Sequence, residues 1–359
     1  MKHDYEIDLL KIAAMLMIVA GHVLLTGGPN DAVSEPTLRG SVVYYTVFGL
    51  RLFTCCAVNC FVLVTGYLYY GKRVRLSRAV ELWLQIVFLS AVVLVVAILC
   101  GYHPSRLQCF KTFMPLTSYS YWFMTQYFLL LLLIPTLNKL VEAMDASFAR
   151  YAIVVLVFVF SVVPTVTTSS VVPVNGGYCV TWFAVMYLIG ACFRKWNIAD
   201  RITGLRAVVL FLVGYAGSLG VAVYGSIVGR FIPTVSGGGW LAYQYNSPFM
   251  LLEAVSLFFL FKNVNIKNRL LQKGVSTVSS LMLGVYILHS NSVFRDAFHW
   301  NGRWAGIVLH SPVAFLARVL CITICIFCAA CLVDYLRFKG FAFVKYHIQN
   351  RLGHKGNCT

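Results

Sequence analysis

Asp8, Lys11, Met15, Ile18 and His22 follow one another at spacings of three, four, three and four. On an α-helix that rhythm puts all five on one stripe, so a carboxylate, an ammonium and an imidazole share one face of an otherwise apolar segment. Eleven residues separate Lys11 from His22, which at the helical rise is about 16 Å along the axis. An imidazole titrates near neutrality and can take the proton of a hydroxyl too weak to attack unaided. His22 is therefore the candidate general base, with Lys11 and Asp8 as charged companions. A snorkelling lysine and a histidine bonded to a neighbouring helix would give the same pattern with no chemistry at all.

Other polar residues stand in apolar surroundings, where a charge is expensive and raises a functional question by default. Glu253 sits midway along the apolar run 247–261. It is a candidate to orient His22, to hold a substrate hydroxyl, or to pair with Arg51 or Arg318. Tyr286 and His289, three apart, share a helical face suited to packing or to substrate lining. Lys72, Arg73, Arg75 and Arg78 form a basic cluster able to clamp phosphates, although membrane topology alone also places basic residues there. No metal is expected, because His22, His289 and the cysteines lack paired ligand spacing and no acidic cluster accompanies them. Cys328 and Cys331 spell C-x-x-C, but with Cys321 and Cys325 they form a helical stripe that suits helix packing rather than redox chemistry.

The elements that must position these groups follow from composition. Of 359 residues, 60% are hydrophobic and 11% charged, too little polar surface to cover a water-soluble fold. Ten apolar runs can be drawn, at 9–25, 42–70, 79–101, 120–138, 151–167, 178–193, 207–228, 247–261, 276–293 and 313–336. Most match the about 17 to 25 residues that cross a bilayer as helix. The second is too long for one straight span, so 42–51 is expected to be an interfacial or tilted approach to it. The expected fold is an all-α membrane bundle of about ten transmembrane helices, with 1–336 as one membrane domain and 337–359 as a basic cytoplasmic tail.

The net charge of +17 points to topology rather than to nucleic acid. Of 29 Lys and Arg, 20 fall in alternate loops and the tail, against six, Arg295 among them, in the opposite loops. The positive-inside rule puts the richer side, and both termini, in the cytoplasm. Further domains have no room in gaps this short.

Read as words, the same residues resemble a known family. Tyr5-Glu6-Ile7-Asp8-Leu9-Leu10-Lys11, ten residues and then His22 resembles the opening of the acyltransferase-3 family of polytopic membrane acyltransferases, with lysine where arginine is commoner. Phe61-Val62-Leu63-Val64-Thr65-Gly66-Tyr67 resembles the family's F-x-x-x-S-G-Y, and Lys72-Arg73-Val74-Arg75 its basic R-x-R. Tyr121-Trp122-Phe123 through Pro135-Thr136-Leu137-Asn138 is similar to its W-F…P-x-x-N helix, and Val285-Tyr286-Ile287-Leu288-His289 to its late V-Y-L-x-H. The resemblance implies transfer of an acyl group, acetyl in the first instance, from cytoplasmic acyl-CoA to a hydroxyl of a cell-surface glycan or lipid-linked sugar. It places the protein in a bacterial plasma membrane as a multi-pass enzyme with no permanently bound cofactor. His22, Lys11, Asp8 and Glu253 are then the catalytic candidates, Lys72, Arg73 and Arg75 the donor-binding ones, and Trp122, Tyr286 and His289 the substrate-lining ones. The competing expectation is a transporter or flippase of glycan or lipid intermediates, which would also carry sparse buried charges but favours repeated halves and broken helices. No repeat is visible.

Overall fold

The computed structural model describes the backbone of residues 3–355 except 36, 39, 168–171, 232–237, 309 and 310; the side chains of 76, 225–231, 238–240, 342 and 344–355 also lie outside the described set. The described chain is helical, with no strand. In order the α-helices are α1 (Tyr5–Leu25), α2 (Pro29–Ala32), α3 (Val42–Cys55), α4 (Ala57–Tyr69), α5 (Leu76–Leu99), α6 (Arg106–Phe113), α7 (Trp122–Ala143) and α8 (Ala146–Val157). There follow α9 (Val163–Thr167), α10 (Val180–Lys195), α11 (Gly204–Phe231), α12 (Pro248–Lys262), α13 (Arg269–Ser279), α14 (Met282–Ser290), α15 (Ser292–Ala297) and α16 (Pro312–Lys355).

Every apolar run drawn from the sequence contains helix, but not every one holds a helix of spanning length. Seven helices or helix pairs are long and apolar enough to cross a bilayer: Tyr5–Leu25, Val42–Tyr69, Ser77–Leu99, Trp122–Ala143, Ala146–Thr167, Gly204–Tyr224 and Pro312–Phe341. The pair α13 and α14, bent by 41°, makes an eighth if taken as one broken span. The helices α10 and α12 have 16 and 15 residues, about 24 and 22 Å at the helical rise, and they are buried on most sides. The chain is thus a multi-pass membrane protein.

Local breaks have local causes. The 42–70 run is interrupted by a single turn at Cys56, between α3 and α4, rather than at residue 51. Five residues of π-helix, Phe158–Val162, precede Pro164, whose missing N–H forces the ladder to readjust. The last helix does not stop at 336 but continues as one rod to Lys355. Its Cys321, Cys325 and Cys328 are exposed, so the stripe expected to pack inside the chain faces outward beside Leu320, Leu332 and Leu336. The described cysteines are free.

Helix α1 is the hub, touching α3, α4, α12, α13, α14 and α16, so its polar stripe is held from all sides. At its N-terminal end Lys262 bonds Asp4 at 3.2 Å and Glu6 at 2.6 Å, and Arg194 reaches Asp4 at 3.5 Å. The P-x-x-N word also has a structural explanation. Asn138 donates to the Tyr69 and Lys72 carbonyls at 3.1 and 3.3 Å and accepts from the Tyr187 hydroxyl at 2.7 Å, tying α7 to the turn after α4 and to α10.

Gly66 explains a second word. A Cβ there would strike the Tyr187 backbone, and one at Gly190 would strike the Leu63 carbonyl oxygen. The two glycines let α4 and α10 touch backbone to backbone, the small-residue packing that joins helices in lipid. Gly66→Val is expected to force the helices apart at a cost of about 1–3 kcal/mol or more, read as a lowered thermal midpoint of the detergent-purified protein; an unchanged midpoint would contradict this packing.

Candidate functional site

The stripe of α1 folds as its spacing requires. Asp8 is buried and accepts from Lys11 Nζ at 2.9 Å and from Ser279 Oγ at 2.7 Å, while His3 Nε2 lies 2.6 Å from its second oxygen. The carboxylate thereby holds Lys11 in place and joins α1 to α13. Lys11, Met15 and Ile18 then line a cavity of about 320 Å³ between α1, α4, α5, α7 and α14. Arg78, Glu81 and Gln85 lie on its polar side and Phe61, Phe123 and Tyr286 on its apolar side. Arg78 and Glu81 pair at 3.2 Å with side chains 61% exposed, which marks them as the mouth. His22 is not on the cavity wall; it stands one turn beyond Ile18, about 6 Å further along the helix axis.

At that level α1 meets α14. His22 Nδ1 lies 3.0 Å from His289 Nε2, and His289 Nδ1 lies 2.6 Å from the Val285 carbonyl oxygen. A carbonyl can only accept, so His289 Nδ1 carries a proton. In a neutral ring its Nε2 is then an acceptor, and His22 Nδ1 must donate to it. One backbone carbonyl thus sets both tautomers and leaves His22 Nε2 as a lone pair with no hydrogen-bond partner among the described residues. His289 is fully buried with both nitrogens engaged, whereas His22 is only partly buried. Of the two rings, His22 alone has a nitrogen to offer a substrate. The arrangement is a base with a partner that orients it, the two-member form of a logic met in many hydrolases.

The remaining expected residues are placed variously. Tyr286 stands with its ring 6.0 Å from His289 and lines the cavity. Trp122 stacks on Tyr245 at 5.5 Å and lies 4.4 Å from Tyr178, an aromatic cluster that continues through Phe123 to Tyr286. Lys72, Arg73 and Arg75 are exposed on the turn between α4 and α5, and the cavity takes Arg78 from the cluster instead. Glu253 is fully buried and accepts from Ser218 Oγ at 2.6 Å, with no hydrogen bond to His22 and no arginine partner among the described residues. Arg51 instead donates to Asn30 and lies over the Tyr243 ring; Arg318 is exposed.

Two groups escaped the sequence reading. Asp334 on α16 is fully buried like Glu253, paired with Arg337, and its carboxylate fills the space a side chain at Gly284 would need. Asn291, just past His289, donates to the Tyr121 hydroxyl at 2.7 Å, which also contacts Ser90 at 2.9 Å. An i+3 arginine on a helix would have flagged Asp334; nothing local marks Asn291.

Comparison with known proteins bears on the family. A search of curated proteins and of solved structures finds no significant match. A family model described as an acyltransferase domain matches residues 4–340, a range that contains the α1 stripe, the cavity and the histidine pair. With nearly its whole length under that model, the chain belongs to the acyltransferase-3 family of membrane acyltransferases.

Proposed function

We propose that the protein moves an acyl group, acetyl in the first instance, from cytoplasmic acyl-CoA to a hydroxyl of a cell-surface glycan or lipid-linked sugar, working in a bacterial plasma membrane. The observation that carries this reading is the His22 lone pair, aimed by His289 and placed one turn beyond a cavity whose mouth bears Arg78 and whose wall bears Lys11. The 20-to-6 bias of basic residues supports an orientation with both termini cytoplasmic, which turns that mouth toward the donor. The donor's phosphates then meet Lys11 and Arg78, with Lys72, Arg73 and Arg75 on the rim, and its thioester reaches inward along the stripe. The Trp122, Tyr178 and Tyr245 rings suit the apolar faces of a sugar on the opposite side. A transporter reading has no comparable observation behind it.

The test is thiol release from acetyl-CoA by the full-length protein in liposomes, together with mass spectrometry of surface polymers from cells with and without the gene. Arg78→Gln is expected to raise the donor KM, each lost charge-assisted contact costing about 1.5–3 kcal/mol, and Arg73→Gln with Arg75→Gln to do so as well if the rim binds phosphate. Lys11→Arg, the commoner residue at this position in the family, keeps activity, whereas Lys11→Ala loses it. Unchanged donor affinity in all of these would leave the basic residues as topology signals, and no thiol release would end the donor reading.

A further inference from the structure

Beyond α14 the chain turns back over the end of α1. Trp300, fully buried, donates its indole N–H to Thr26 Oγ1 at 2.9 Å, and Thr26 Oγ1 donates to the His22 carbonyl at 2.9 Å. The backbone N–H groups of Gly302 and Trp304 bond the Thr26 and Gly27 carbonyls at 3.2 and 2.8 Å. The short helix α15 is therefore fixed above the histidine pair, at one end by Asn291 on Tyr121 and at the other by the loop docked on α1.

Arg295 lies on this helix. Its backbone is held on both sides, N–H to the Asn291 carbonyl at 2.9 Å and carbonyl from Trp300 N–H at 2.7 Å. It stands six residues beyond His289, on the helix that follows α14 directly and is tied to the end of α1 that carries His22. The guanidinium has no carboxylate partner among the described residues: the adjacent Asp296 accepts from Gln108 at 2.8 Å. Its Nε is buried and makes no hydrogen bond, and its Nη2 reaches only Asn301 at 3.4 Å. A part-buried cation left unpaired beside two imidazoles is costly to keep. The cost is offset when an anion forms there during the reaction.

We propose that Arg295 is a further catalytic residue, a guanidinium held over the histidine pair to stabilise the negative charge that develops on the acyl carbonyl oxygen. The proposal rests on the acyl-transfer reading above. In that step His22 Nε2 takes the acceptor's proton as the acceptor oxygen bonds to the carbonyl carbon, and the C=O π pair moves onto the carbonyl oxygen. On collapse that pair returns, the C–S bond breaks, and the departing thiolate takes the proton from His22. Ester, free thiol and a neutral histidine pair remain. Between the two halves the new anion is the oxyanion, and a guanidinium already fixed beside it would act without reorganisation.

The experiment measures thiol release from acetyl-CoA by the full-length protein in liposomes, with water standing in for the acceptor hydroxyl. Arg295→Gln is expected to lower kcat by about 10²- to 10³-fold with the donor KM within about twofold. Arg295→Lys should recover part of the loss, and guanidinium ion added to Arg295→Ala should restore more, a rescue that a collapsed fold would not allow. Near-normal kcat in Arg295→Gln would overturn the proposal, as would a rise in KM alone, or loss in every variant without rescue by guanidinium. His22→Ala, run in parallel, separates the two readings: release that survives there but fails in Arg295→Gln removes the base while leaving the oxyanion role.

Discussion

Purified His22→Ala protein is expected to lose acyl transfer by about 10²- to 10⁴-fold, the range that general-base catalysis supplies, while still binding acyl-CoA. The expectation follows from the tautomer chain. His22 Nε2 is the one lone pair the two rings leave free, because His289 spends its nitrogens on Val285 and on His22. His22→Gln keeps size and hydrogen bonding but cannot accept and return a proton, so it should fail equally. The cavity proposed for the donor is lined by residues one turn and more away, so isothermal titration with a non-hydrolysable acyl-CoA should give a Kd close to that of the unaltered protein. Near-normal turnover by the glutamine variant would sink the assignment and move suspicion to His289 or Glu253.

The second large effect is expected at His289, although it has no nitrogen to spare for substrate. His289→Phe fills the same buried space but leaves the His22 Nδ1 proton unbonded, and the ring is then free to rotate and to exchange tautomers. A base in the wrong tautomer presents N–H where a lone pair is needed, and such losses reach about 10⁴-fold in the serine-protease triad; about 10²- to 10⁴-fold is expected here. His289→Gln carries an amide oxygen that can accept the same proton and should retain more activity than phenylalanine at comparable stability. Equal activity of the glutamine and phenylalanine variants, with both folded, would show that His289 fills space and does not orient. Nitrogen-15 chemical shifts of His22 offer an independent readout, since loss of the partner should shift Nδ1 and Nε2 toward a mixed-tautomer pattern.

The α1 stripe was legible because helical periodicity is local. Spacings of three and four place Asp8, Lys11, Met15, Ile18 and His22 on one face in any helix, and Lys11, Met15 and Ile18 do line one cavity while Asp8 braces Lys11. Membrane residence was equally legible, since it depends on summed apolar content. The words around Gly66 and Asn138 were visible, but their reasons were not. Gly66 is glycine because of the Tyr187 backbone on another helix, and Asn138 is needed by carbonyls on the far side of a turn.

Span lengths were less legible. Hydropathy cannot tell a helix bathed in lipid from one buried in protein, so the runs 178–193 and 247–261 were counted among the spans, whereas α10 and α12, with 16 and 15 residues, are buried on most sides. The C-x-x-C stripe on α16 met the same ambiguity from the other side, since an apolar face looks alike whether it meets a neighbouring helix or an acyl chain.

The sequence by itself determined a basic group and an imidazole on one face of a buried helix, the excess of positive charge on one side, and the family to which these words belong. Which of the two imidazoles keeps an unbonded ring nitrogen was decided by tertiary structure alone. His22 and His289 lie 267 residues apart, and each separately could accept a proton. Only when α14 packs on α1 does the Val285 carbonyl fix one ring's proton, that ring fix the next, and a single lone pair remain. The same holds for Arg295, whose distance from His22 along the chain says nothing of the loop that brings it back. Hydrogen-bond direction and the absence of a counter-ion are properties of neighbours in space, and a linear pattern carries no record of them.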